Sequence, residues 1–221
     1  MPEVHSDGLD IPPVFELCRK LSSISRYSQI KLLVPESVLE HTSFVTIFSI
    51  VFGMDVDKHL KAIGRPGINM NQLLVKAAVH DMEEVISGDI PRTTKYSNSS
   101  IRKEIARVER EGIDTVAFNI SGDNLLLHDL IVDSWKNSKV GIEGAIIALA
   151  DCAAVVYKAW WEVLMLNNRS MSESLVDLES YIDKSYMNLV SKLGKGDPAK
   201  LLEGVNQMKA IVRAISNAGR S

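Results

Sequence analysis

The chain has 221 residues, 24% charged and 46% hydrophobic, which is the balance of an ordinary globular protein and not of a disordered or collagen-like one. Its 25 basic and 28 acidic residues give a formal net charge of −3. They form no like-charge block, which argues against a protein that coats nucleic acid but not against a locally basic site for a small anion. Cys18 and Cys152 lie far apart, so no disulfide framework is expected and a reducing cytoplasm is the natural setting. Residue 3 is Glu and no apolar run follows, so no secretory signal is expected. The longest stretch without Asp, Glu, Lys or Arg, His41 to Met54, falls short of the roughly 18 apolar residues of a membrane span. A soluble cytoplasmic protein without a membrane partner is the expectation.

The chain reads as helical almost throughout. Val14, Leu17 and Leu21 set a 3–4 spacing over Val14 to Ser23, behind Pro12 and Pro13, where proline starts a helix well. Ser37 is an N-cap candidate for a helix from Val38 to Phe52. Asp55 to Asn69, with Gly64, Pro66 and Gly67, reads as a loop. A helix is predicted over Asn71 to Ser87, stopping at Gly88, and turn chemistry runs from Gly88 to Ser100. Ser100 to Phe118 is an amphipathic, charge-laced helix. After a turn at Asn119 to Asn124, Leu125 to Trp135 is a short helix. Gly144 to Met165 is long and apolar, hence central. Glu173 to Leu193 is amphipathic, Gly194 to Pro198 breaks the chain, and Ala199 to Asn217 is the last helix. With no convincing strand, the fold class is all-α. One domain is expected over 1–221, with a motif-bearing core at about 14–166 and a C-terminal helical extension at about 173–217.

Of five histidines, His5, His59 and His128 have no evident setting. His41 and His80 lie inside apolar helical stretches, where an unpaired imidazole is costly. Asp81 follows His80 at once, and Asp151 sits inside the apolar run Ala145 to Val156. Two imidazoles and two carboxylates form a borderline-hard donor set, suited to Mn, Fe, Co, Ni or Zn rather than to a thiolate zinc site. Glu84, four residues after His80, shares its helix face. Glu83 is rotated from it by about 100° and reads as solvated. Asp89 follows the Gly88 break, where a loop can bend it back over the metal.

The segments Glu36-Ser37-Val38-x-Glu40-His41, Ala78-x-His80-Asp81-x-x-Glu84-x-x-Ser87-Gly88-Asp89-Ile90-Pro91, Lys95-Tyr96-x-Asn98 and Ala150-Asp151 resemble the HD-domain metal-dependent phosphohydrolases. Within these they are most similar to the bacterial 5′-deoxynucleotidases and to related phage deoxynucleoside triphosphohydrolases. The resemblance runs from about Leu17 to Trp161, and the stretch from His80 to Asn98 is its most specific part. It implies an HD-type helical bundle holding one divalent metal at His41, His80, Asp81 and Asp151. Manganese or cobalt comes first for that ion, with zinc, nickel or iron also allowed.

The same resemblance implies acid–base roles for Glu84 and Asp89, and places Arg26, Tyr27, Pro91 and Lys95 at the substrate. Tyr27 stands where the family has a tryptophan near the sugar, and Ala148 stands where members often have a phosphate-binding lysine. Arg92, Lys136 and Lys139 are candidates to replace that lysine. The leading function is hydrolysis of a deoxynucleoside 5′-monophosphate to deoxynucleoside and phosphate. The alternatives are release of triphosphate from a deoxynucleoside triphosphate such as dATP, or a non-catalytic nucleotide-binding module. The apolar helix ending in Trp160, Trp161, Val163, Leu164 and Met165 must be covered on every side. With the resemblance, it leads to an expected homo-oligomer, at least a dimer.

Overall fold

The computed structural model describes residues 11–95, 97–175, 177–194 and 196–220. In chain order the helices are α1 (Ile11–Ser23), α2 (Val38–Ala62), α3 (Met70–Val79), the single turns α4 (Glu84–Ser87) and α5 (Arg92–Lys95), α6 (Ser99–Ser121), α7 (Leu125–Lys136), α8 (Gly141–Ala159), α9 (Leu178–Leu193) and α10 (Ala199–Arg220). A π-helical stretch, Trp160–Met165, continues α8, and a 3-10 stretch covers Arg169–Leu175. No strand occurs among the described residues, only one isolated antiparallel bridge between Ser25 and Ser37.

Local chemistry fixes the helix starts. Asn69, Asn98 and Asn124 cap α3, α6 and α7, each side chain accepting a backbone N–H three residues on. Ser37 caps α2 in a reciprocal capping box with Glu40. Gly144 lies in the first turn of α8, where an added Cβ would fall 2.4 Å from the Lys139 carbonyl carbon. Only glycine permits that close return of the chain after α7.

Three predicted boundaries change. The helix from Ser37 does not end near Phe52 but runs to Ala62, so Asp55 to Ala62 is helix and only the remainder is loop. The helix predicted over Asn71 to Ser87 breaks at residues 80–83. There Met82 N–H and Glu84 N–H donate to the Val79 and Asp81 carbonyls, which tightens the chain into turns before α4. His80 and Glu84 therefore flank a break and do not share a continuous helix face. The amphipathic helix expected from Glu173 starts at Leu178, after the 3-10 stretch.

Helix α8 packs against α2, α3, α9 and α10. Its buried Ile146, Leu149, Ala150 and Ala153 share one cluster with Val45 and Leu60 of α2, Ile182 and Leu189 of α9, and Val205 and Ile215 of α10. Each of these buried Val, Leu and Ile side chains contributes about 1.5–3 kcal/mol. The C-terminal helices thus cover the apolar α8 within one chain. A second cluster, centred on Ile113, Val116, Ala117 and Val132, joins α6 to α7.

Candidate functional site

The site forms where α2, the α3–α4 turn and α8 converge behind the segment between α1 and α2. The isolated bridge pins that segment. Arg26 N–H donates to the Glu36 carbonyl at 2.8 Å, and Val38 N–H donates to the Ile24 carbonyl at 3.0 Å. Arg26 is thereby held beside the first turn of α2, one turn from His41.

His41 is fully buried. Its Nε2 lies 3.1 Å from Asp151 Oδ1 and 3.7 Å from Asp81 Oδ2, and its Nδ1 lies 3.8 Å from Glu36 Oε1. His80 Nδ1 is 2.8 Å from the Ala77 carbonyl, which assigns the ring proton to Nδ1 and leaves Nε2 as the donor atom. That Nε2 is 3.0 Å from Asp81 Oδ2. His41, His80 and Asp81 each bring one donor atom within 4.8 Å of the others. Asp151 reaches the group through its contact with His41, and its side chain, 34% exposed, forms the open side.

Both Nε2 atoms are buried and lack a hydrogen-bond partner of acceptable geometry, although carboxylates stand close by. Imidazole nitrogens and carboxylate oxygens converging at these distances form a donor set that fits a divalent cation. Three of the four residues expected to hold metal, His41, His80 and Asp81, thus converge, and Asp151 stands beside them against His41.

The charges around the site are strongly displaced. Burial raises the Glu84 carboxyl, and the Asp81 and Asp89 charges push it further, to about 10. Its Oε2 is buried without a partner. Burial opposes ionisation of Asp81, but His80, His41 and Arg26 outweigh it and hold Asp81 below the usual carboxylate range. Burial would lower His80, yet Asp81 raises it to about 9. His41 goes the other way, lowered by burial and by the Arg26 charge.

Gly88, at φ 70°, ends α4 and turns the chain so that Asp89 comes back, where its Oδ2 accepts the Tyr27 N–H at 3.1 Å. Tyr27 itself is left-handed at φ 57°, a conformation rare for an aromatic residue. The Arg26 guanidinium lies 5.3 Å from the centre of the Tyr27 ring and 3.7 Å from Asp81 Oδ2. Arg26, Tyr27, Asp89 and the metal-type triad therefore form one constellation. Pro91 opens α5, its carbonyl accepting from Thr94 and Lys95 N–H. Lys95 pairs with Glu109 of α6 at 2.5 Å. Lys136 and Lys139 are exposed. The Arg92 side chain, Tyr96 and His5 lie outside the described residues.

Sequence reasoning missed several groups. Glu83 is buried, not solvated, and accepts the Trp135 indole N–H at 2.6 Å. Glu36, quoted in the motif without a role, is buried 3.6 Å from Arg26 Nε, and burial raises it to about 7 against the pull of Arg26. Glu162 is fully buried in the π-helical stretch. It accepts from Leu33 N–H and Val34 N–H at 2.9 Å each, from Asn168 at 2.7 Å and from Lys158 at 3.0 Å. Glu162 stood out only as a lone acid in an apolar run, four residues after Lys158. His59 lies within α2 rather than in a loop, and His128 is within 3.4 Å of Asp114 and 3.3 Å of Asp129.

An all-α bundle with this His, His-Asp and Asp constellation defines an HD-domain phosphohydrolase, a metal-dependent phosphoric ester hydrolase. The fold is similar to that of an HD-domain phosphohydrolase from Listeria innocua, with a TM-score of 0.67 and 21% identity over 91% of each chain. Residues 13–193 match the YfbR-like 5′-deoxynucleotidase family, and the chain belongs to that family. Relatives include a 5′-deoxynucleotidase of Pectobacterium atrosepticum, 28% identical over 72% of this chain and 77% of its own. Another, from Erwinia tasmaniensis, is 24% identical over 69% of this chain and 74% of its own.

Proposed function

We propose that the site cleaves the 5′-phosphate ester of a deoxynucleoside monophosphate, releasing the deoxynucleoside and phosphate. The observation that carries the reading is Arg26, set 3.7 Å from Asp81 at the metal-type triad with the Tyr27 ring beside it. One guanidinium suits one phosphate group, gripping two of its oxygens. The two relatives described above are named 5′-deoxynucleotidases, which supports the same substrate class.

His41, His80, Asp81 and Asp151 hold the metal in this reading, Mn²⁺ or Co²⁺ first as the resemblance implies, with Zn²⁺, Ni²⁺ or Fe²⁺ also accommodated by a mixed nitrogen and oxygen set. When bound, that ion supplies acidity to water and neutralises charge on phosphoryl oxygens. Arg26 orients the phosphate, and the Tyr27 ring lies where the sugar must sit. Glu84, its carboxyl raised by burial and by the Asp81 and Asp89 charges, is one group poised for proton transfer. Asp89, tethered through Oδ2 to the Tyr27 amide, offers Oδ1 for the second transfer. Water is the nucleophile.

Pro91 and Lys95 border the substrate from α5. The protein acts in the cytoplasm, on small nucleotides, as one domain whose C-terminal helices share the central core, and as at least a dimer. A panel of mono- and triphosphates, ribo and deoxy, across several divalent metals tests the proposal. Phosphate release from deoxynucleoside monophosphates is expected. Triphosphate release from dATP with no turnover of dAMP would overturn it.

A further inference from the structure

Three orphaned polar atoms meet at the start of α2. Glu36 Oε1, Arg26 Nε and His41 Nδ1 are all buried, and none makes a hydrogen bond of acceptable geometry. Glu36 Oε1 stands 3.6 Å from Arg26 Nε and 3.8 Å from His41 Nδ1. One acceptor thus faces two nitrogens, one on the arginine assigned to phosphate and one on a histidine assigned to metal. Buried polar groups of native proteins are paired in nearly every case. Closing either gap to about 2.9 Å takes a movement of less than about 1 Å.

Local chemistry explains the meeting. With Ser37 as N-cap, Glu36 is the residue before the cap and His41 the fourth after it. Side chains at those two positions meet at a helix start, and where both are apolar they form a hydrophobic staple. Here the pair is a carboxylate and an imidazole. The backbone around Glu36 is fixed on both sides. Its carbonyl accepts the Arg26 N–H at 2.8 Å, and Ser37 N–H donates to Glu40 Oε2 at 2.8 Å. The Glu36 carboxyl is thereby delivered between the Arg26 segment and the first turns of α2.

A neutral imidazole that offers Nε2 to a metal carries its proton on Nδ1 and needs an acceptor behind it. His80 has that acceptor in the Ala77 carbonyl at 2.8 Å. His41 turns Nε2 toward Asp151 and Asp81, and behind its Nδ1 stands Glu36. On Arg26, an Nε turned to Glu36 leaves the two terminal nitrogens as the gripping edge, with Nη1 3.7 Å from Asp81 Oδ2. Such an edge matches two phosphate oxygens. We propose that Glu36 is a positioning residue shared by both halves of the site. Its carboxylate accepts the His41 Nδ1–H, which holds Nε2 toward the metal, and the Arg26 Nε–H, which holds the guanidinium edge toward the phosphate. Glu36 itself touches neither. The inference rests on the metal reading of the site proposed above.

Glu36→Gln keeps the volume and removes the charge, whereas Glu36→Ala removes the acceptor. Mn²⁺ affinity, measured by chelator competition, is expected to fall about 10-fold in Glu36→Gln and up to about 100-fold in Glu36→Ala. At saturating Mn²⁺, binding of inorganic phosphate by calorimetry is expected to weaken about tenfold in Glu36→Gln. Adding Glu36→Gln to Arg26→Ala is expected to cost no further phosphate affinity, because the brace then has nothing to aim. The metal-free Glu36→Gln protein is expected to melt with the wild type, and it decides the matter if Glu36→Ala fails to fold. His80→Ala separates the inference from the reading beneath it. If His80→Ala holds Mn²⁺ as tightly as the wild type, the metal reading falls and the brace with it. If His80→Ala loses Mn²⁺ while the Glu36 variants bind it like the wild type, the brace alone falls. Unchanged phosphate affinity in Glu36→Gln, or weaker metal binding matched by an equal loss of metal-free stability, would also overturn the proposal.

Discussion

Two buried groups of charged side chains lie within this bundle, and they are built in opposite ways. Around Glu162 the hydrogen-bonding capacity is filled. Two backbone amides, the Asn168 amide and the Lys158 ammonium supply four donors to its two carboxylate oxygens, and Lys158 also donates to the Val34 carbonyl. Around His41 and His80 the atoms are crowded yet unpaired. Both Nε2 atoms, Glu84 Oε2 and Arg26 Nε are buried with no acceptable partner. The first group has its proton affinity lowered, the second contains a carboxyl raised to about 10. A satisfied network fixes structure, whereas an unsatisfied one is waiting for something that binds there. The two are also connected, because Leu33 and Val34, gripped by Glu162, belong to the same segment as Arg26 and Tyr27.

Substitutions should separate these two roles. Glu84→Gln and Asp89→Asn should each lower turnover by on the order of 10²–10⁴ while metal content and nucleotide binding by calorimetry persist. Because Glu84 already holds its proton at neutral pH without metal, Glu84→Gln should leave metal-free stability unchanged or slightly higher. Loss of metal in both variants would show that they ligate or build the site instead.

Glu162→Ala should do the reverse, costing about 3–5 kcal/mol of stability by stranding Lys158, or on the order of 10 °C in Tm. The metal site itself should remain, with kcat/KM reduced through the loosened Arg26-Tyr27 segment. A variant melting like the wild type would remove Glu162 from this role.

Acid should act on the same group. Burial opposes ionisation of Glu162, but Asn168, the Leu33 and Val34 amides and Lys158 outweigh it, lowering the carboxyl from 4.5 to about 2. Its contribution, about 3 kcal/mol, is complete above pH 4.5 and is lost as pH falls through 2. Denaturant midpoints across that window should fall less in Glu162→Gln than in the wild type. Parallel curves would place the acid sensitivity elsewhere.

The smallest effect concerns the sugar. The Tyr27 hydroxyl is buried without a partner in the constellation. An aromatic wall there disfavours a 2′-hydroxyl, giving a deoxy preference of roughly 10–100-fold in kcat/KM, or about 1.4–2.7 kcal/mol. Tyr27→Ala should reduce it. Equal rates on dAMP and AMP in the wild type would end the claim, and a preference unchanged in Tyr27→Ala would move its cause to another residue.

The sequence made the unsatisfied group more legible than the satisfied one. His41, His80, Asp81 and Asp151 were conspicuous because polar residues inside apolar helical runs are costly and so demand a reason. Helix existence was equally plain from periodicity. What escaped notice depends on contacts between distant segments. Glu83 reads as a solvated face until α7 brings Trp135 over it. Glu162 meets the chain at Leu33, far away in sequence. The break at residues 80–83 is not legible because its residues are ordinary helix formers, and Gly64, Pro66 and Gly67 draw the predicted loop forward of the true end of α2 at Ala62.

The central claim is that His41, His80, Asp81 and Asp151 hold the catalytic metal. Its most direct test is elemental analysis alongside phosphate release from dAMP, after dialysis against chelator and reloading, for the wild type, His80→Ala and Asp151→Ala. The account predicts one equivalent of divalent metal and turnover in the wild type, and neither in the two variants. Full turnover in either variant, or in chelator-treated wild type before reloading, would contradict it.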